Sequence, residues 1–407
     1  MNCRHCNVFL KHTFLNLGYA PPSNAYLSKE DLNCPEIYFP LKVKVCDQCW
    51  LVQTEDYTQA DKLFTSEYAY FSSISSGWIA HAKQYVKKMI IELCLNKESL
   101  VIEVGSNDGY LLKNFVNVGI PCLGIEPTDS TAAAAEKIGV RTIRKFFGEA
   151  LGKQLKTKGK QADLIVANNV YAHVPDINDF TSGLKAALKP GGTITIEFPH
   201  LMCLIEESQF DTIYHEHFSY LSLQTVSRIF AGAGLRVWNV EKLATHGGSL
   251  RVYACHQDDL RSTQAVVSDV LKEEFKYGLQ ELNTYLKFQS RADKIKNDLL
   301  TFLIEQKRLG KKVIAYGAAA KGNTLLNYAG VKPDLIEFVC DAAQAKQGKF
   351  MPGNHIPILH PGVMLEMKFD YVLILPWNIA KEIIKENSAL KKKNVHFITA
   401  VPKLSFL

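Results

Sequence analysis

Residues 101–115, VIEVGSNDGYLLKNF, run from an apolar strand through a glycine turn into a helix. Gly105 and Gly109 permit a sharp turn and let the backbone approach a ligand, and a helix start favours an anionic group such as a carboxylate. The turn gains weight from the next apolar strand, PCLGIEP (121–127), which ends in Glu126, an acid placed to hold both hydroxyls of a ribose. A nicotinamide dehydrogenase shares this plan, but its fingerprint is GxGxxG, whereas here the third position is Asn107 with Asp108 beside it. An acid at that point repels a pyrophosphate and suits the ammonium group of S-adenosylmethionine (SAM). The residues therefore favour a methyltransferase crevice. The strand in ADLIVANNVYAHVPD (162–176) agrees, because polar Asn168 and Asn169 emerge from it where the crevice should lie. His173 follows in a loop, either at the site or as a capping or surface residue.

Outward from this stretch, apolar strands alternate with helical segments from about Trp78 to GGTITIEFP (191–199), which implies parallel βαβ units and a sheet covered on both faces. Residues 261–310 are charged, lack proline and contain only Gly278 before Gly310, so they read as long helices between two lobes. The alternation restarts with KKVIAYG (311–317), LIEFVCD (335–341), FDYVLILP (369–376) and NVHFITAVP (394–402), a second α/β lobe. Residues 1–75 are rich in Cys, Tyr and Pro and alternate as short strands do, as in FPLKVKVCDQC (39–49). The expected division is a zinc-binding unit over 1–75, a SAM-binding Rossmann-like methyltransferase domain over 76–290 and a second Rossmann-like domain over 291–407.

A chain of 407 residues is too long for one comfortable core. Its 47 basic and 41 acidic residues leave a net +6, a bias that helps attract an anionic small molecule and is too weak to argue for nucleic acid. No apolar run approaches the roughly 20 residues of a membrane span, and MNCRHCNVFLKH lacks the apolar stretch of a signal peptide, so a cytoplasmic protein is expected. Of 10 cysteines, four form the pairs Cys3/Cys6 and Cys46/Cys49, and the other six, scattered in apolar or mixed surroundings, are expected to be buried free thiols. Two CxxC pairs place four thiolates on one tetrahedral zinc and leave no open position for catalysis. His5, inside the first knuckle, is expected to be a bystander. A redox CxxC, which should follow a strand and open a helix, is the competing reading.

The chemistry is expected in EFPHLMCLIEESQFDTIYHEHFSYLS (197–222), where Tyr214, His215, Glu216 and His217 stand side by side. In extended backbone Tyr214 and Glu216 share one face and the two histidines the other. If the segment bends at a helix start, Tyr214, Glu216 and His217 converge and His215 is left outside. An imidazole suits proton removal beside a ketone at neutral pH, with a carboxylate to orient it. A metal site on His215 and His217, or satisfied polar-loop histidines, are the alternatives. The turn at Gly317–Thr324 has Lys-Gly where a Walker motif needs Gly-Lys, which excludes ATP hydrolysis, though Lys321 suits a pyrophosphate. A plain packing turn is equally compatible.

Taken together, the two CxxC knuckles, EVGSNDG, GIEP, NNVYAHVPD, YHEH, HGGSLRVY and YGAAAKGNT resemble the sugar C-methyltransferases over essentially the whole chain. The resemblance implies a zinc-binding N-terminal domain and a Rossmann-like C-terminal domain flanking a SAM-binding domain. It also implies a dTDP- or GDP-linked 4-keto-6-deoxyhexose, methylated on the carbon next to the ketone. His217 would be the general base, with Tyr214 and Glu216 orienting it or the sugar, and Tyr70 would reach the substrate from the zinc domain. Gly105, Asn107, Glu126 and Asn168 would contact SAM, and Cys3, Cys6, Cys46 and Cys49 the zinc. The competing functions are an O- or N-methyltransferase, and a zinc-knuckle module that uses SAM or a nucleotide only as a regulatory ligand.

Overall fold

The computed structural model describes residues 1–57, 73 and 76–407, arranged around three sheets. The central one has seven strands in the order β10-β11-β8-β7-β4-β5-β6. Its strands β4 (Val101–Val104), β5 (Cys122–Ile125), β6 (Thr142–Ile143), β7 (Ala162–Asn168) and β8 (Leu188–Pro199) pair in parallel. The antiparallel hairpin β10 (Leu235–Leu243) and β11 (Ser249–His256) closes the edge beyond β8. All four residues of β4 are buried, and β7 is buried throughout except Asp163, as expected for strands covered on both faces. The order reverses direction of travel between β4 and β7, so the crevice opens at their carboxyl ends, where Gly105 and Asn168 lie.

The C-terminal sheet has six strands in the order β14-β13-β12-β15-β16-β17. Strands β12 (Val313–Tyr316), β13 (Val339–Cys340), β14 (Ile358–Leu359), β15 (Tyr371–Ile374) and β16 (His396–Thr399) are parallel, and β17 (Ser405–Phe406) is antiparallel. The segment LIEFVCD, read as a full strand, contributes only Val339–Cys340, because Leu335 and Ile336 close a turn back to Lys332. Between the lobes run helices at Ala265–Tyr277, Leu282–Leu286 and Phe288–Arg308, the first ended by Gly278 in the left-handed region at φ 92°.

The N-terminal sheet is antiparallel throughout, β1 (His12–Ala20), β2 (Phe39–Val45), β3 (Val52–Thr54) and then β9 (Ser219–Tyr220), which the chain supplies from just after the YHEH segment. This sheet has no private core. Phe14, Leu41 and Val43 share one apolar cluster with Phe288, Leu299 and Val313, and the Phe14 ring stacks on Phe288 at 4.6 Å. Cys3, Leu10 and Leu51 join the cluster of the central domain. Among the scattered cysteines, Cys34 and Cys94 are exposed, which corrects the expectation that all six are buried. Cys34 lies in a loop and Cys94 in the turn after the helix that ends at Glu92, and Cys122 and Cys203 are only half-buried. Among the described residues no helix is long and apolar enough to cross a membrane.

Candidate active site

The turn after β4 is shaped by its neighbours. Gly105 has φ +66°, and a Cβ there would stand 2.5 Å from a methyl of Val170, so a side chain is excluded on two counts. Asn107 takes the left-handed region at φ 48°, which asparagine tolerates. The Glu126 carboxylate, 6% exposed, accepts the Asn107 N–H at 2.9 Å on one oxygen and the Thr128 N–H at 2.9 Å on the other. A carboxylate has about four acceptor positions, so two remain for hydroxyls of a bound ribose. Asn168 ends β7 across the crevice, and its Oδ1 is buried without a hydrogen-bond partner among the described residues. Asp108 gives one oxygen to the Ser73 N–H at 3.1 Å, and its other oxygen is buried and unpartnered among the described residues. Beneath them burial, reinforced by the charges of Asp108 and Glu126, pushes Glu103 well above the usual carboxylate range. Orphaned acceptors at a glycine turn fit the donor-rich ammonium and ribose of SAM.

The YHEH segment bends at a tight turn and not at a helix start, with the His217 N–H donating to the Tyr214 carbonyl at 3.0 Å. The turn brings the Tyr214 and His217 rings together at 3.9 Å. His217 Nδ1 donates to the Thr212 carbonyl at 2.9 Å, which leaves the lone pair on Nε2. Burial lowers its pKa well below the ordinary imidazole value, and the neighbouring His173, His246 and Lys321 disfavour a positive charge there in the same direction. The imidazole is therefore neutral at neutral pH. His173 lies 4.7 Å away ring to ring, donates from Nδ1 to the Glu216 carbonyl at 2.8 Å, and is lowered to about 4 by burial. His215 points the other way, 5% exposed and edge-on to Phe39 of β2, so the two histidines do not converge on a metal. Tyr70 lies outside the described residues.

Three further elements close around His217. Strand β3 holds the loop by β9 pairing, and Thr54 Oγ1 donates to the His217 carbonyl. The HGGS segment brings His246 at φ 54° against Trp78, whose ring also stacks on His81 at 4.9 Å. His81 and Arg251 both reach Glu197, at 2.9 and 2.5 Å, at the crevice end of β8. From the C-terminal lobe, Trp377 donates to the buried Asp211 at 2.8 Å and packs where a Cβ on Gly247 would stand 2.4 Å from its ring. Burial raises Asp211 to about 6. Lys321, for which the sequence is equally compatible with a pyrophosphate contact and a packing turn, turns to Asn378 Oδ1 at 2.8 Å and lies over the Trp377 ring at 4.7 Å.

At the far end of the N-terminal sheet, the sulfurs of Cys3, Cys6, Cys46 and Cys49 all lie within 4.8 Å of one another. Cys3 meets Cys49 and Cys6 meets Cys46 at 3.5 Å, close to the roughly 3.8 Å edge of a tetrahedron of zinc–sulfur bonds about 2.3 Å long. Gln53 donates to the Cys3 sulfur at 3.2 Å, a contact that supports an anionic ligand. His5 is bonded to Asn178 at 2.9 Å and takes no part.

Three family models tile the chain: one described as "Putative zinc binding domain" over residues 3–64, a methyltransferase domain over 78–240, and a C-methyltransferase C-terminal domain over 244–402. The C-methyltransferase NovU of Streptomyces niveus is 34% identical over 401 residues, 98% of this chain and 95% of that one. The chain belongs to the C-methyltransferase family. The mitochondrial ubiquinone biosynthesis O-methyltransferase of Homo sapiens is 24% identical over 161 residues, 34% of this chain and 42% of that one. The SAH-bound structure of magnesium protoporphyrin IX methyltransferase from Synechocystis PCC 6803 matches 44% of this chain and 83% of that chain at 13% identity, with a TM-score of 0.34.

This C-methyltransferase is a SAM-dependent enzyme with a structural zinc site. Its structure adds residues that the sequence reading passed over. Asn24 donates its amide to both oxygens of Glu216, at 2.8 and 3.0 Å. Asp211 and Trp377 join the YHEH loop to the C-terminal lobe. No spacing in the chain announces these contacts, since the partners are 192 and 166 residues apart. The signal available was chemical only, in that an uncharged amide suits a buried carboxylate.

Proposed function

We propose that this C-methyltransferase methylates the carbon next to the ketone (C-3) of a dTDP- or GDP-linked 4-keto-6-deoxysugar, through an enolate formed by His217, in branched deoxysugar biosynthesis. The observation that carries the reading is the His217 imidazole, anchored through Nδ1 to Thr212 and held neutral, with the lone pair on Nε2 open to accept a proton. A ketone acidifies its neighbouring C–H, and a neutral imidazole is the base that removes such a proton at neutral pH. Tyr214 and Glu216 orient the base or the sugar, and Tyr70 contacts the substrate. Gly105, Asn107, Glu126 and Asn168 hold SAM, which when bound supplies an electrophilic methyl group. Holding enolate carbon and methyl in line contributes roughly 7–11 kcal/mol to lowering the barrier. The name of NovU supports carbon as the acceptor, and the net +6 charge suits an anionic nucleotide sugar. The reading assigns zinc to Cys3, Cys6, Cys46 and Cys49, the functional units to 1–75, 76–290 and 291–407, and the enzyme to the cytoplasm.

Mass spectrometry after incubation with SAM and a panel of dTDP- and GDP-linked 4-keto-6-deoxysugars tests it. Expected is one added methyl group, with washout of deuterium from C-3. A methyl found on oxygen or nitrogen, with C-3 deuterium retained, overturns the reading.

A further inference from the structure

The zinc-bound module does more than stand beside the crevice. Between β1 and β2 it sends out the loop Pro21–Leu27, which enters the space between the YHEH turn and the C-terminal lobe. Its Tyr26 hydroxyl donates to the Ala318 carbonyl at 2.5 Å, Leu27 bridges to Phe350, and Ser23 lies 3.5 Å from Thr324, which itself donates to the Ile213 carbonyl at 2.9 Å. At the tip Asn24 faces Glu216. Carboxylate oxygens only accept, so the amide nitrogen must point at them, and it reaches both at 2.8 and 3.0 Å. Glu216 is 3% exposed, and a carboxylate that deep requires donors to keep its position and charge. The same residue holds His173 through its backbone carbonyl, and His173 packs edge-on to His217.

We propose that Asn24 is a positioning residue for proton removal: its amide fixes the Glu216 carboxylate, so the zinc-held module supplies part of the active centre. The proposal rests on the reading of His217 as base. Asn24 acts through donated hydrogens and not through shape, and this separates it from a packing residue. The isosteric substitution Asn24→Asp keeps the shape and sets two carboxylates against each other.

The experiment compares Asn24→Asp and Asn24→Ala with the wild-type enzyme for zinc content, SAM affinity, kcat and KM of methyl transfer. It also follows hydrogen–deuterium exchange at the sugar carbon with S-adenosylhomocysteine bound. Expected for Asn24→Asp is unchanged zinc content and SAM affinity, with exchange and kcat both lowered at least tenfold. Asn24→Ala should lose less, with the loss again in kcat. Should Asn24→Asp fail to retain zinc, Asn24→Ala alone decides by the same kcat and exchange readouts. In the double variant Asn24→Asp/Glu216→Gln the hydrogen-bonded pair is restored with the charge on the wrong side, and turnover should stay low. Full kcat in Asn24→Asp, a change confined to KM, or recovery of wild-type turnover in the double variant would each overturn the proposal. Wild-type enzyme that transfers methyl without ever exchanging the hydrogen sinks the reading of the base instead, and is told apart because no variant is involved.

Discussion

The two Rossmann-like lobes share one plan and put it to different uses. Each has a parallel strand, a glycine turn, a helix and a second strand followed by an acid, Glu126 in the central lobe and Asp341 in the C-terminal one. In the central lobe, acceptors at the crevice stay open, with Asn168 Oδ1 and one Asp108 oxygen unpartnered among the described residues. In the C-terminal lobe the equivalent space is filled from within the protein. Asp341 accepts the Ala343 N–H at 2.8 Å and faces Lys346 at 3.6 Å, while Lys346 and Tyr26 both donate to the Ala318 carbonyl, at 2.8 and 2.5 Å. A shared fold therefore does not assign a shared ligand. What decides is which polar groups are left without a partner.

The largest expected effect tests the loop that fills the C-terminal space. Tyr26 and Asn24 belong to the zinc module, so removing zinc should free the C-terminal crevice and Glu216 while leaving the SAM crevice as it is. Structural zinc contributes roughly 10–16 kcal/mol of apparent folding free energy in small modules. Cys46→Ser should lose zinc and methyl transfer together, with SAM affinity retained in calorimetry. A zinc-free enzyme with full turnover would show that the module and its loop are dispensable.

His217 lies where the two lobes meet, and the next effect is on rate. His217→Asn should bind SAM normally and lose both methyl transfer and exchange of the acidic sugar hydrogen, by about 10²–10⁴-fold. His215→Asn should keep most of both, since its ring packs against Phe39. Native exchange in His217→Asn would move the base to a phenol, Tyr214 or Tyr70.

A third test separates the lobes by pH. In the central lobe His200 and Glu274 pair at 2.8 Å, 2% and 0% exposed, and Glu274 also accepts the N–H groups of Leu223 and Gln224. Burial opposes charge on His200, but Cys203 and Glu274 outweigh it and raise the imidazole to about 9. With a folded value above the ordinary 6.5, the contribution is complete below pH 6.5 and is lost as pH rises through about 9. The shift corresponds to about 3 kcal/mol. Denaturant midpoints should fall between pH 7 and 9.5 in the wild-type enzyme and stay flatter in His200→Gln. Equal slopes would mean that the pair does not titrate in this range.

How much of this was legible in the chain depends on range. VIEVG, GIEP and ADLIVAN announced the central crevice because strand burial, glycine geometry and a terminal acid are local properties. The two CxxC pairs announced the sulfur cluster for the same reason. The YHEH segment was ambiguous, since its bend is set by the hydrogen bond between His217 and Tyr214 together with pairing to β3, and only the fold supplies β3. Lys321 stayed open between a pyrophosphate contact and a plain packing turn because only its helix start is local, whereas Trp377 and Asn378, which capture it, come from beyond the end of β15. Asn24 carried no pattern at all.

The smallest expected effect bears most directly on the two acids. Glu126→Ala removes acceptors for the Asn107 and Thr128 N–H groups and, on the proposed reading, for the ribose, and a hydrogen bond to a charged group is worth about 1.5–3 kcal/mol. SAM affinity should drop roughly tenfold to a hundredfold, with sugar-nucleotide affinity nearly unchanged. Asp341→Asn should leave SAM affinity alone, because its carboxylate serves Ala343 and Lys346 within its own lobe. Calorimetry with SAM on both variants decides. Equal losses in the two would mean that the C-terminal acid reports on the cofactor crevice through the domain contact, and the distinction between an open and a filled crevice would fail. A loss in Glu126→Ala alone would fix the cofactor on the lobe whose acceptors are unpartnered.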